Sequence, residues 1–432
     1  MRHPVIVSAV RTPIGRARTG ALAAVRPDNL LAHTVAEALA RVPGTAPADV
    51  DDLVVGCALP GGEQGFNIAR IAAVLLGWDH VPGVTVNRLC TSSLQAIRMA
   101  AQAVRCGDAD VVVAAGVESH SRLSLHGSSD TWPDTENPAF AAARERSARH
   151  ALPGTPHGTP HGTPHGTPSG SLPGGLAGGP PSPWTDPREQ HLLPDPYIPV
   201  GLAAENAADA YGISRESMDT YAARSHRLTE LAVAEGFHFG DITPVKTPDG
   251  TTAGTDDCPR TGVTPRSLAA LPPRFRPGGR VTAGNSSPLS DGAAAVVVMS
   301  ESYAREHGHT PLARVLGTAL SASSPETEGP APVAATRTVL SRAGMSLSDV
   351  GTVAGNEPFA AQVLAYCAAL GLDPDRVNTH GGSIALGEPF GAAGARLTTT
   401  ALTTLRHDDL STALVSVVAA GGQGMAMLLE RA

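Results

Sequence analysis

One order of short β-rich and helical runs occurs twice along this chain, and that repetition restricts the fold more than any other feature. Within residues 1–120, β-rich runs at Val5–Ser8, Leu53–Cys57, Val84–Asn87 and Val111–Ala115 alternate with Ala- and Leu-rich runs at Asn29–Arg41, Asn67–Leu76 and Ser92–Arg105. Alternation on this scale predicts an α/β layered fold, with helices covering the faces of a sheet. The second half repeats it. Helical runs at Val333–Ala343 and Ala360–Leu370 flank a strand at Val350–Ala354, a Gly-rich corner at Gly381–Gly394 leads into a helix ending near Arg406, and strands at Leu414–Ala419 and Met425–Leu429 follow. Even the corner returns, since Val86-Asn87 before Cys90 is echoed by Val377-Asn378 before Gly381.

A chain of 432 residues is long enough for two or three domains with a large core. The longest apolar stretches, such as Ala293–Met299 and Leu414–Ala420, fall well short of the roughly 20 residues a bilayer requires. Met1–Arg11 reads as a first strand rather than a secretory leader, so no membrane partner is expected. A net charge of −8 argues against a nucleic-acid partner, which would need a clustered basic face. Lys246 is the single lysine, leaving Schiff-base chemistry almost without a candidate. The five cysteines are odd in number and lack CxxC spacing, which predicts reduced thiols in the cytoplasm.

Pro153–Pro183 is almost pure Gly, Pro, Thr, Ser and His, with a His-Gly-Thr-Pro unit starting at His157, His161 and His165. That composition cannot bury enough apolar surface to offset its ordering entropy, which predicts a disordered insertion. On such a chain the three histidines share no helical face, and no metal site is expected.

Cys57, Cys106, Cys258 and Cys367 read as small buried hydrophobes. Cys90 differs, because it stands where an apolar run ends and an Ala-rich helix begins. The unpaired N–H groups and dipole of a helix N-terminus favour a thiolate there, which makes Cys90 a candidate nucleophile rather than only a core thiol.

The passage Val86-Asn87-Arg88-Leu89-Cys90-Thr91-Ser92-Ser93-Leu94-Gln95-Ala96 resembles the acylated-cysteine motif of the thiolase family. Other blocks follow in family order over nearly the whole chain: Val281–Ser287 with Asp291-Gly292-Ala293, Asn356–Ala360, Gly381–Gly387, and Gly421-Gly422-Gln423-Gly424. The resemblance implies a five-layer αβαβα sandwich of two duplicated halves with an inserted loop domain. It divides this chain into an N-terminal half over 1–120, a loop domain over 121–288 containing the disordered segment, a return to the N-terminal half over 289–310, and a C-terminal half over 311–432. It also implies a homodimer or homotetramer acting on an acyl-CoA or acyl-carrier substrate, with no cofactor beyond the coenzyme A thioester.

Carried over position by position, the resemblance makes Cys90 the acylated nucleophile. Asn356 becomes the holder of a catalytic water and part of an oxyanion hole, and the Gly422 and Gly424 backbone lies close to substrate. Ser287 and Ala283 line the pantetheine, with Phe275 stacking on adenine and Arg260 facing a phosphate. Two positions depart from the pattern. Glu388 stands where the family has the histidine that activates the cysteine, and Val418 where it has a second cysteine exchanging the substrate α-proton. A buried Glu388 can serve as general base, or when protonated as an oxyanion donor, and is otherwise a structural carboxylate. His380 is either an auxiliary group to the thiol or a hydrogen-bonded structural histidine. The resemblance marks the Pro199-Val200-Gly201 stretch as a changed acyl tunnel.

Three functions fit these residues. The leading one is an acyltransferase that loads Cys90 from a thioester and passes the acyl group to an acceptor needing no deprotonation by a second cysteine. The second is a true acetyl-CoA C-acyltransferase with Glu388 as acid/base. The third is a non-catalytic subunit that binds acyl-CoA.

Overall fold

The computed structural model of the protein describes residues 2–126, 136–153, 155 and 184–432. Apart from residues 153 and 155, the Gly/Pro/His-rich segment expected to be disordered lies outside the described residues. In chain order the strands are β1 (Pro4–Arg11), β2 (Gly15–Arg16), β3 (Asp52–Gly56), β4 (Gly83–Val86), β5 (Val111–Ser119), β6 (Val245–Lys246), β7 (Thr252–Ala253), β8 (Ser290–Ser300), β9 (Ala313–Ala322), β10 (Thr352–Gly355), β11 (Thr412–Ala419) and β12 (Gln423–Arg431). Apart from the small β6-β7 pair they join in one path, β10-β11-β12-β9-β1-β8-β5-β3-β4, with β2 beside β8.

That path is one topology written twice. From β1 outward the pairings run antiparallel to β8, antiparallel to β5, parallel to β3 and parallel to β4. From β9 outward they run antiparallel to β12, antiparallel to β11 and parallel to β10, with Val377 bridging parallel to Val353 where the echo of β4 belongs. Along the sheet the halves meet at Val5–Arg314 and Ile6–Ala313.

Side-chain alternation then builds the layers, because successive residues of a strand face opposite sides. Val111 and Val113 pack outward beneath the helices Pro27–Ala40 and Ile68–Leu75. Val112 and Ala114 pack inward with Leu94 and Ile97 of the helix Ser92–Cys106 and Leu397 and Ala401 of the helix Ala393–His407. Val415 and Met427 of the second half reach the same inner cluster. Leu414 and Leu428 face the outer helices Val200–Ala210, Arg215–Ala234, Pro332–Ala343 and Ala360–Leu370. Helix, sheet, helix, sheet, helix is the expected five-layer order. The two central helices come close because Gly394 carries no side chain: a Cβ there would lie 2.3 Å from the Leu94 backbone nitrogen.

The helices and strands read from alternation lie within three residues of the observed ends, except that β5 runs on to Ser119. Strands β8 and β9 escape that reading. Every residue of β8 is buried, so its apolar run carries no period, and β9 is broken by Gly317 and polar residues. Among the described residues no helix is long and apolar enough to cross a membrane.

Candidate active site

The corner after β4 is tight. Leu89 adopts φ +49°, an uncommon conformation for a residue with a side chain. Local hydrogen bonds hold it: the Leu89 N–H donates to Asn87 Oδ1 at 2.8 Å, the Arg88 N–H to Ser92 Oγ at 2.8 Å, and Ser92 Oγ to the Leu89 carbonyl at 2.5 Å. Cys90 is thereby placed two residues before the helix Ser92–Cys106, 2% exposed.

The opposing residues come from the second half. Parallel strands β10 and β11 end side by side, which puts Asn356, just past β10, against Val418 near the end of β11. The Val418 N–H donates to Asn356 Oδ1 at 2.8 Å, and Asn356 Nδ2 donates both to the Val418 carbonyl and to Glu388 Oε1, each at 2.9 Å. Both amide hydrogens of Asn356 are therefore occupied. Donating to a water, as expected from the sequence, would require breaking one of these bonds; in this geometry the amide donates to Glu388.

Glu388 follows Gly387, whose φ of +93° and a Cβ position only 2.3 Å from Ser290 Oγ leave room for glycine alone. Its own N–H donates to Ser290 Oγ at 3.2 Å. The carboxyl is 1% exposed, and Oε2 is buried without a hydrogen-bond partner. Burial raises its pKa above the usual carboxylate range, partly opposed by the Asn356 donor, the Arg396 charge and the Ser383 hydroxyl. Arg396, itself 2% exposed, is held by Ser383 Oγ at 2.8 Å.

Cys90 departs from the acidity its corner suggests. Burial first, then the charges of Glu388, Glu328 and Glu118, push its pKa well above that of an ordinary thiol, and the backbone N–H at the corner offsets only part of this. The resting group is a thiol, because burial, reinforced by acidic groups from distant segments, outweighs the local helix terminus.

Glu328 is the residue that sequence reasoning missed. Together with Val200, Gln362, Val418 and Ala420 it shares with Cys90 the lining of a small cavity of about 10 Å³. Glu328 is 2% exposed and sits at φ +28°. Its Oε1 accepts the Gly421 N–H at 3.0 Å and its Oε2 the Gln362 amide at 3.1 Å. Burial pushes its pKa up to about 8, with those two donors opposing. The only signal in the sequence is a pair of glutamates, Glu326 and Glu328, in the short Pro325–Pro330 connection ahead of a helix. Glu326 is spoken for by Arg146 Nη2 at 2.6 Å, Trp184 Nε1 at 3.0 Å and the Asp195 N–H at 2.8 Å.

The other sequence-derived positions divide. Ser287 lies at the site, its Oγ donating to the Ser383 carbonyl at 2.9 Å. Ala283 is exposed on the same block. Phe275 stands edge-on to Phe359 at 5.8 Å and covers Gly201, where a Cβ would meet its ring at 2.3 Å. Arg260 is exposed beside the buried His226. Gly422 and Gly424 pack against the connection that carries Glu328: their Cβ positions lie 2.4 Å from the Ser323 carbonyl oxygen and from the Ala331–Pro332 backbone. His380 is not gathered with Cys90. It stacks on Phe237 at 3.9 Å, and its Nε2 lies 3.4 Å from Asp408.

Comparison with known proteins adds to this geometry. The thiolase N-terminal domain matches residues 4–144 and 188–302, and the thiolase C-terminal domain matches residues 309–431. The chain is 38% identical over 441 aligned residues, all of both chains, to a 3-ketoacyl-CoA thiolase of Escherichia coli O1:K1 / APEC. It is equally similar, 38% over the full length of both, to a beta-ketoadipyl-CoA thiolase of Acinetobacter baylyi. The crystal structure of the Bacillus anthracis acetyl-CoA acetyltransferase superposes with a TM-score of 0.81 at 34% identity, covering 100% of this chain and 99% of that one. Human mitochondrial 3-ketoacyl-CoA thiolase superposes with a TM-score of 0.80 at 32% identity over the same shares.

Proposed function

The chain belongs to the thiolase family and is an acyl-CoA acyltransferase, and from that premise we propose that it makes or cleaves a 3-oxoacyl-CoA through an acyl-Cys90 intermediate. This is the second of the three sequence-derived readings. Relatives matched over their whole length bear 3-ketoacyl-CoA and beta-ketoadipyl-CoA thiolase names, which favours it over the first.

One observation carries it. Glu388 presents Oε1 to Asn356 and keeps Oε2 buried and unpartnered, close enough for its charge to raise the Cys90 pKa. A buried carboxylate with an unpartnered oxygen, within electrostatic reach of a buried thiol, is suited to accept its proton. The Cys90 proton passes to Glu388 only as the sulfur bonds to the carbonyl carbon, because a thiolate standing among carboxylates is disfavoured. Glu388 then returns that proton when the acyl group leaves Cys90 for the thiol of coenzyme A.

Coenzyme A enters as substrate rather than cofactor, with Ser287, Ala283, Phe275 and Arg260 assigned to it. We assign the protein to a homodimer because the edge strand β4 is only half-buried along its length, beside exposed Phe66, Val74 and Leu75. No disulfide joins the five cysteines, which supports a reducing cytoplasm.

Val418 favours a second reading, transfer to an acceptor that needs no α-deprotonation. Incubation with acetyl-CoA followed by intact mass measurement, and thiolysis of acetoacetyl-CoA by free coenzyme A, separate the two. The proposal expects an acetyl adduct that Cys90→Ala abolishes, together with thiolysis. An adduct without thiolysis supports the second reading, and the absence of any adduct leaves a binding subunit.

A further inference from the structure

We infer that Glu328 is the catalytic acid and base that exchanges the α-proton of the substrate, the work for which Val418 has no titrating group. The inference rests on the carbon–carbon reaction proposed above and assigns one of its steps.

Three placements point to Glu328. It lines the same small cavity as Cys90 and Val418, so the thiol and the carboxyl border one space. It is held rigidly: Gly421 and Gln362 each donate to one carboxyl oxygen, and its own carbonyl accepts the Ala331 N–H at 2.7 Å. Both of its hydrogen-bond donors are neutral, and no ion pair to it is found among the described residues. Buried Asp256, by contrast, is matched with a charge, Arg11 at 2.7 Å. Its backbone is also strained at φ +28°, a conformation that persists only where packing enforces it and that gathers at functional sites. Packing here is the Ser323 N–H on the Gly422 carbonyl at 2.7 Å, which ties the connection to the β11-β12 corner. A carboxyl titrating near neutrality is able both to give and to take a proton in one cycle.

The step balances. In cleavage, the Cys90 sulfur bonds to C3 of the 3-oxoacyl-CoA, its proton passing to Glu388, and the C2–C3 bond breaks with its electron pair remaining on C2. The protonated carboxyl of Glu328 delivers its proton to C2, releasing acetyl-CoA, which carries C1 and C2, and leaving a carboxylate, while the shortened acyl group stays on Cys90. When coenzyme A attacks the acyl-Cys90, its thiol proton goes to Glu328 and Glu388 returns the first proton to sulfur. Synthesis runs the same transfers in reverse, with the Glu328 carboxylate removing a proton from C2.

The test is hydrogen exchange at C2 of acetyl-CoA in deuterated water, followed by mass, beside acetylation of Cys90 in the same samples. Wild type incorporates deuterium. Glu328→Gln, which keeps shape and acceptor oxygen, should lose about 10²–10⁴-fold in exchange while Cys90 still becomes acetylated, because a departing coenzyme A thiolate can take its proton from water and a C2 carbanion cannot. Val418→Cys added to Glu328→Gln should restore exchange, because it supplies a titrating group to the same cavity; this second variant separates loss of chemistry from loss of fold. Unchanged exchange in Glu328→Gln overturns the inference and leaves the carbon–carbon reaction standing. Exchange lost only in Glu388→Gln assigns the step to Glu388 instead. Acetylation without any exchange or thiolysis in wild type overturns both the reaction and this assignment.

Discussion

Asn356 Nδ2 stands 2.9 Å from Glu388 Oε1 while its Oδ1 takes the Val418 N–H at 2.8 Å, so one amide ties the Glu388 carboxyl to the end of β11. The position without a titrating side chain thus serves through its backbone, by fixing the residue that has one. Four consequences are measurable.

Glu388→Gln should depress acylation of Cys90 by about 10²–10⁴-fold, the usual worth of a positioned proton acceptor. The amide still offers an oxygen to Asn356, so the melting temperature should change little. Stopped-flow acylation beside thermal unfolding checks both, and an unchanged acylation rate would remove Glu388 from the chemistry.

Glu328 makes stability depend on pH in a definite direction. Its folded pKa of about 8 lies above the roughly 4.3 of an unfolded glutamate. Between those values the folded protein keeps a proton that the unfolded chain has released, so stability falls as pH rises through the window, by roughly 5 kcal/mol at most. The groups facing it are the Gly421 N–H, the Gln362 amide and the Cys90 thiol, none of them a cation. Glu328→Gln removes the dependence, and its melting temperature relative to wild type should climb from about pH 5 to about pH 9. Parallel curves for the two proteins would mean that Glu328 is not buried in its neutral form.

Restoring the family pattern with Glu388→His and Val418→Cys should raise the thiolysis rate above wild type. Val418 is buried at the end of β11, and a cysteine side chain is no larger, so the strand should accept it. Both groups act in one cycle, so the double variant should exceed the product of the single effects. A double variant slower than wild type would show that the cavity works only with carboxylates.

Arg260→Ala should raise the KM for coenzyme A thioesters several-fold without lowering the melting temperature, because the side chain is exposed. A reporter lies beside it. Burial first, and then the Arg260 charge, hold His226 down to about 4, so removing the charge should move that histidine upward in an NMR titration. A shifted His226 with an unchanged KM would separate Arg260 from coenzyme A binding.

Short contiguous blocks made much of this site legible. Cys90, Asn356, Gly387, Glu388 and Val418 each sit at a strand end or glycine corner whose backbone is set by neighbours a few residues away. The duplicated order of strands was legible for the same reason, since alternation and helical spacing are local periods. The sequence by itself therefore determined the layers, the corners and which side chains stand on them. Tertiary structure alone decided their chemistry. Glu328 reaches Cys90 across 238 positions of sequence, because the connection after β9 is clamped onto the β11-β12 corner. No local pattern encodes that clamp. The acidity of Cys90 changed for a like reason: the helix terminus is local and favours a thiolate, whereas burial and three carboxylates arrive from other segments and prevail. Electrostatic energy in a dry interior depends on distance through space, and that distance is set only when the two halves close on each other.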